Sequence, residues 1–224
     1  YIGDWSSDVC SSDLPDFIIV KNRSSNQSTP AWFCDSSVSV GTQINTIDSA
    51  GDSFTRTNAF QDTYPTDSVI TVGTNMQTNN TGESHTAYCF HNVPGHTQIG
   101  RYVGNGNSYG PTIYTGFKVR WIMVKGLNAD AGGTNSWVLL DTARCKHNSN
   151  TGSEKWLFAD SPNSETSYNG ASSGSVKLFN DGFKVGTDVS GTLSHLNTNG
   201  SYYAYIAFAE YPFSGENVQP APIQ

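Results

Sequence analysis

The chain has 224 residues, 36% of them hydrophobic and only 14% charged, and carries a formal net charge of −7 at neutral pH. An excess of 19 Asp and Glu over 12 Lys and Arg offers nucleic acid no electrostatic footing, and no apolar run reaches the roughly 18 residues that a membrane-spanning helix needs. Abundant Gly, Ser, Thr and Asn exclude long helices, while 12% aromatic residues exclude a disordered chain, which leaves an all-β protein of short antiparallel strands, a sandwich or a barrel.

From the N-terminus, Asp4-Trp5-Ser6-Ser7-Asp8-Val9-Cys10-Ser11-Ser12-Asp13-Leu14 resembles the conceptual translation of a sequencing-adapter oligonucleotide. Residues 1–14 are therefore read as a non-native segment that contributes nothing to the stability of the fold. Phe17-Ile18-Ile19-Val20-Lys21 is a β-branched apolar run too short for a helix, and its apolar residues on both faces predict a strand buried on both sides. Trp32 and Asp35, then Val72-Gly73-Thr74, then Ala87-Tyr88 with Phe90 and Pro94 follow it.

The same order of landmarks then returns. Trp121-Ile122-Met123-Val124-Lys125 answers the first run, Trp137 and Asp141 answer Trp32 and Asp35, Val185-Gly186-Thr187 answers Val72 to Thr74, and Ala204-Tyr205 with Phe208 and Pro212 closes the second set. A period of roughly a hundred residues suits a small duplicated domain and not a solenoid repeat. The expected organisation is a first β-sandwich over residues 15–95, truncated at its N-terminal end, a complete one over 96–217 in which the strand residues Phe183 to Thr187 match Ile70 to Thr74 of the first, and a Pro-bearing mobile tail over 218–224. The second set has a strand-like segment, Ile99 to Tyr114, ahead of its Trp121 run that the first set lacks.

Several polar features along the chain invite a chemical reading. Cys89-Phe90-His91, His96 and Cys145-Lys146-His147 have spacings that match no zinc module, so Cys89 is read as a small core residue on a strand, the histidines as loop residues, and no metal or other cofactor is expected. Gly104-Asn105-Gly106 and Gly110 read as turns. Asp141-Thr142-Ala143-Arg144, at the end of the strand Trp137 to Leu140, predicts a structural ion pair between Asp141 and Arg144. Tyr109, Trp156 and Tyr168 sit in polar, Gly-rich stretches and are the candidate sugar-stacking residues, with the core as the competing place for Trp156-Leu157-Phe158.

Gly170-Ala171-Ser172-Ser173-Gly174 matches the G-x-S-x-G pattern but lacks the strand-turn-helix setting of a nucleophile elbow. Glu83, Glu154, Glu165, Glu210 and Glu216 form no pair at the spacing glycoside hydrolysis requires, so no catalytic residue is named. Val176 to Val185 reads as a hairpin with a two-residue turn at Asp181-Gly182, which puts Leu178 opposite Val185 and gives Gly182 a positive φ. Tyr202 to Ala209 alternates as a strand, and no segment shows a helical period.

Tyr102-Val103-Gly104-Asn105-Gly106, Ile113-Tyr114-Thr115-Gly116-Phe117, Asp141 to Arg144, Asn180 to Val185 and Ala207 to Phe213, in this order, resemble a family of duplicated, uncharacterised domains encoded by tailed bacteriophages of marine and other environmental sequence. The resemblance covers residues 15 to 217 and departs at His91-Asn92 and His96, where family members tend to carry Ala-Glu and an aromatic. It implies concanavalin-like, SPRY-like or jelly-roll sandwiches in virion-associated proteins, and brings no catalytic residues with it. The expected function is a non-enzymatic module of a tail fibre or similar appendage on the phage particle, adhering to host-surface polysaccharide. The alternative is an architectural decoration or spacer without ligand, and a carbohydrate-active enzyme ranks third. Expected partners are that polysaccharide and other virion proteins, in a full-length protein that is a homo-oligomer and neither binds nucleic acid nor inserts in a membrane.

Overall fold

A computed structural model describes residues 14–35, 37, 43–50, 54–55, 57–128, 136–144, 154–162, 164–168, 176–186 and 196–212. The β-branched run folds as expected into β1 (Phe17–Asn22), which pairs antiparallel with β2 (Pro30–Phe33) on one side and β5 (His85–Phe90) on the other. With β3 (Gln43–Thr46) and β4 (Phe54–Thr55) they form a five-stranded sheet in the order β4-β3-β2-β1-β5. The chain then crosses to β6 (Thr97–Val103) and β7 (Thr112–Tyr114), and continues through β8 (Val119–Gly126), β9 (Val138–Asp141), β10 (Glu154–Phe158) and β11 (Thr166–Tyr168). The short strands β12 (Lys177–Leu178) and β13 (Gly182–Lys184) precede the long closing strand β14 (Tyr202–Ala209).

A six-stranded sheet runs β11-β10-β9-β8-β14-β6, and a three-stranded sheet runs β12-β13-β7. The first five strands of the larger sheet thus repeat the order of the five-stranded one. Registers match too: Phe17 lies opposite Phe90 in one sheet, and their sequence counterparts Trp121 and Phe208 lie opposite each other in the other.

Three apolar clusters explain why both Phe17–Asn22 and Val119–Gly126 lack a polar face. Phe17, Ala31 and Phe33 from the five-stranded sheet meet Ile99, Met123, Trp137, Ala204 and Ile206 from the second half, so the two large sheets share one core. On the outer side of the five-stranded sheet, Ile18, Val20, Trp32 and Ile44 are covered by Ala59, Phe60, Ile70 and Val72. On the outer side of the six-stranded sheet, Ile122, Val124, Leu140, Trp156, Tyr203 and Tyr205 are covered by Ile113, Leu178 and Phe183 of the small sheet. Fully burying a side chain of this size contributes about 1.5 to 3 kcal/mol, and β1 and β8 collect that on both faces.

The structure corrects three expectations. Two single-turn helices occur, α1 (Thr57–Phe60) and α2 (Met76–Asn79), the latter capped by Asn75, whose Oδ1 accepts from Gln77 N at 2.8 Å. Segments this short carry no readable period. Ile70 to Thr74 lies outside any strand and is held instead through Gly73 N, which donates to Ala59 O at 2.8 Å. The hairpin turn falls one residue earlier than Asp181-Gly182, since Leu178 pairs with Phe183 and Lys177 with Lys184. Gly182 is a strand residue outside the positive-φ set, lying opposite Tyr114 where a Cβ would overlap Ile113 O.

Candidate functional site

The outer face of the small sheet brings together two exposed tyrosines and two lysines of the second half. Alternation along β7, β12 and β13 sends Ile113, Leu178 and Phe183 inward and leaves Thr112, Tyr114, Lys177 and Lys184 outward. Tyr114 is 68% exposed and lies opposite Gly182, which presents no side chain beside it. Lys184 lies between Thr112 and Lys177 in register, and its Nζ sits over the Tyr109 ring, 4.8 Å from the centroid. Tyr109 itself is 75% exposed. Neither Lys177 nor Lys184 forms an ion pair among the described residues, although like charges directly opposite on a sheet face repel.

A buried amide network fixes the loop that presents Tyr109. Asn197 is fully buried; its Nδ2 donates to Asn105 Oδ1 at 3.1 Å and to Asn107 O at 2.9 Å, and its Oδ1 accepts from Asn105 N at 2.8 Å. Gly106 takes φ +66° and donates its N–H to Asn197 O at 2.9 Å. Beneath, Tyr102 stacks on Tyr203 at 5.0 Å and its hydroxyl donates to Leu196 O at 2.8 Å. Burial raises the Tyr102 phenol well above its ordinary value, so it stays a neutral donor. Satisfied networks of this kind rigidify what they hold.

The remaining sequence-derived candidates fall elsewhere. Trp156 is 1% exposed and belongs to the core of the second half, so it offers no face to a sugar; its polar neighbours belong to a strand whose Trp points inward. Tyr168 ends the edge strand β11, paired in register with Glu154. Tyr114, the second exposed tyrosine of the face, was not singled out by sequence, although its place at alternate spacing from Thr112 on a short strand was the available signal.

Asp141 and Arg144 do meet. Arg144 Nε donates to Asp141 Oδ2 at 2.6 Å, and Asp141 Oδ1 accepts from the backbone N–H groups of Ala143 and Arg144 at 3.0 and 2.9 Å. Burial alone would raise the Asp141 carboxyl, but the Arg144 contacts and the two amides outweigh it and hold the pKa below its ordinary value. The pair closes the turn after β9. Asp141→Ala should therefore cost about 1.5 to 3 kcal/mol in urea unfolding at neutral pH. Because the folded pKa is depressed, this contribution is present above the unfolded-state pKa and is lost as pH falls through the folded one, so wild type and variant should converge in strong acid.

Cys89 is exposed on β5, which corrects its reading as a core residue, whereas Cys34 is buried and its thiol is pushed far up by that burial. Cys145, His147 and the Gly170 to Gly174 pattern lie outside the described residues. Among the glutamates, Glu83 accepts from Asn22 Nδ2 and from Ser25 Oγ, Glu165 pairs with Lys155 at 3.3 Å, and Glu210 pairs with Lys118 at 2.6 Å. No group of three or more metal-ligating side chains converges among the described residues, and no helix among them is long and apolar enough to cross a membrane.

Antiparallel sheets packed face to face, with a tyrosine-bearing outer face on a rigid loop, make this a mostly β protein of the sandwich type. The chain belongs to the DUF7483 family, described as a domain of unknown function, whose sequence model matches residues 6–212. That range includes part of the segment that resembles an adapter translation. No curated protein and no solved structure matches the chain.

Proposed function

We propose that this chain is a non-enzymatic adhesion module of a phage virion, carried on a tail fibre or similar appendage, and that it holds surface polysaccharide on the outer face of the β12-β13-β7 sheet. The observation that carries the reading is the pair of exposed tyrosines, Tyr109 and Tyr114, on one small sheet and the rigid loop beside it, with Lys177 and Lys184 free of ion pairs among the described residues. Tyrosine faces stack on the apolar face of a sugar ring, and unpaired lysines favour sugars that carry carboxylate or sulfate. The two halves are read as duplicates of one unit, supported by the shared strand order and by the matching of Phe17 and Phe90 with Trp121 and Phe208. Single sites of this kind are weak, and a homo-oligomeric appendage gains avidity of about 10² to 10⁴-fold.

The test is to display the chain on beads against neutral and acidic polysaccharides. Binding to acidic glycans should fall by up to about tenfold in Tyr109→Ala and in Tyr114→Ala, with unfolding midpoints unchanged. Absence of binding even under multivalent display would defeat adhesion and leave the architectural reading, and wild-type binding by both variants would move the site off this face.

A further inference from the structure

The two large sheets do not end together. Phe17 of β1 and Phe33 of β2 face Trp137, just ahead of β9, and Phe90 of β5 faces Phe208 of β14 edge to ring at 6.3 Å. One step further out stands β6 in the six-stranded sheet, and among the described residues no strand of the five-stranded sheet lies across from it.

Alternation along the strands identifies what that step uncovers. Thr86 and Tyr88 share the face of Phe90, and Arg101 and Val103 share the face of Ile99, which lies in the core between the sheets. Tyr202 likewise shares the face of Ala204 and Ile206. Tyr88, Arg101, Val103 and Tyr202 are nevertheless exposed, although all four stand on faces that the sheets turn toward each other. The Arg101 guanidinium lies over the Tyr202 ring, 5.5 Å from its centroid, and forms no ion pair among the described residues.

The backbone of β5 is open beside this uncovered face. Natural sheets protect their edges with short strands, charges, proline or bulges, yet β5 runs for six residues without lysine, arginine, carboxylate or proline. Lys21 lies opposite Thr86 and Ile19 opposite Tyr88, and Arg23 N donates to Ser84 O. The alternation of an antiparallel pair therefore turns the N–H and C=O of His85, Ala87 and Cys89 away from β1.

We infer that the β5 edge and the uncovered inner face of β6 form a groove for an extended segment of another polypeptide, acidic at one inward position and apolar at the neighbouring inward ones. The outward N–H and C=O groups specify an extended backbone, a mode in which main-chain hydrogen bonds supply affinity and alternate side chains supply specificity. Tyr88, Val103 and Tyr202 select apolar inward side chains, and Arg101 selects a carboxylate. The groove lies away from the sheet that carries Tyr114, so the polysaccharide panel does not decide it.

The test adds the synthetic peptide Val-Thr-Glu-Thr-Val-Thr-Val to the whole chain, with the same peptide carrying Lys in place of Glu as its control. Amide exchange at His85, Ala87 and Cys89 should slow by about tenfold or more with the Glu peptide and much less with the Lys peptide, because like charges across an interface repel. Arg101→Glu alters an exposed side chain that holds no ion pair among the described residues, and it should reverse the preference, with protection by the Lys peptide showing that the groove is intact. No protection by either peptide, equal protection by both, or an unchanged preference in Arg101→Glu would overturn the inference. So would protection of the same amides without peptide: if it grows with protein concentration it assigns the edge to a second copy of the chain, and if it does not, to the chain's own residues.

Discussion

Trp137→Ala is expected to lower the stability of the chain by about 3 to 5 kcal/mol and to loosen the two large sheets from each other. Trp137 is fully buried just ahead of β9, yet its ring neighbours belong to the other half: Phe17 lies 6.2 Å and Phe33 6.1 Å away between centroids. Its Nε1 donates to Thr46 O at 2.8 Å, also across the interface. Truncation leaves a cavity in the shared core and removes that hydrogen bond. Trp137→Phe keeps most of the volume and should cost less, with about 1 kcal/mol of the loss from the missing hydrogen bond. Urea unfolding followed both by tryptophan fluorescence and by far-ultraviolet circular dichroism measures both changes. A loss below about 1 kcal/mol for the alanine variant would show that the halves are not coupled through this residue.

The second large effect is expected at Gly110, where alanine should cost about 3 kcal/mol and weaken any ligand bound near Tyr109. A Cβ there would overlap Val185 O and press on Asn197 Nδ2. Val185 is buried in the second core and Asn197 is pinned by Asn105 and Asn107, so neither can withdraw cheaply. Gly116 provides the contrast: it has φ +75° with open space around it, and Gly116→Ala should cost only about 1 kcal/mol, a conformational penalty. Thermal unfolding of the two variants separates close approach from backbone preference, and equal shifts would refute the packing argument.

What could be read from the sequence was what depends on neighbours along the chain. Ile18-Ile19-Val20 and Ile122-Met123-Val124 announced strands covered on both faces because no polar residue interrupts them, and the Asp141 to Arg144 turn was legible because both partners lie within one turn. The misplaced hairpin shows the limit. Asp181-Gly182 is a standard turn pair, yet the glycine is used inside β13 because β7, far away in sequence, passes too close for a side chain. Trp156 was ambiguous for a similar reason: its local setting is polar, and only the arrival of the small sheet over β9 and β10 decides that it faces inward. The exposed face built from Tyr109, Tyr114, Lys177 and Lys184 combines three separate segments, and no single window of sequence contains it.

Lys125 is sealed between the two large sheets. The lysine is 0% exposed, its Nζ reaching toward Ser49 O at 3.5 Å and over the Trp137 ring at 5.5 Å, whereas Lys21, on β1 of the five-stranded sheet, is half-buried and donates to Thr29 Oγ1. An amine in that place is shielded from acylating reagents for as long as the two sheets stay closed. Its reactivity therefore reports the parting of the layers, while Lys21 on β1 supplies an internal standard.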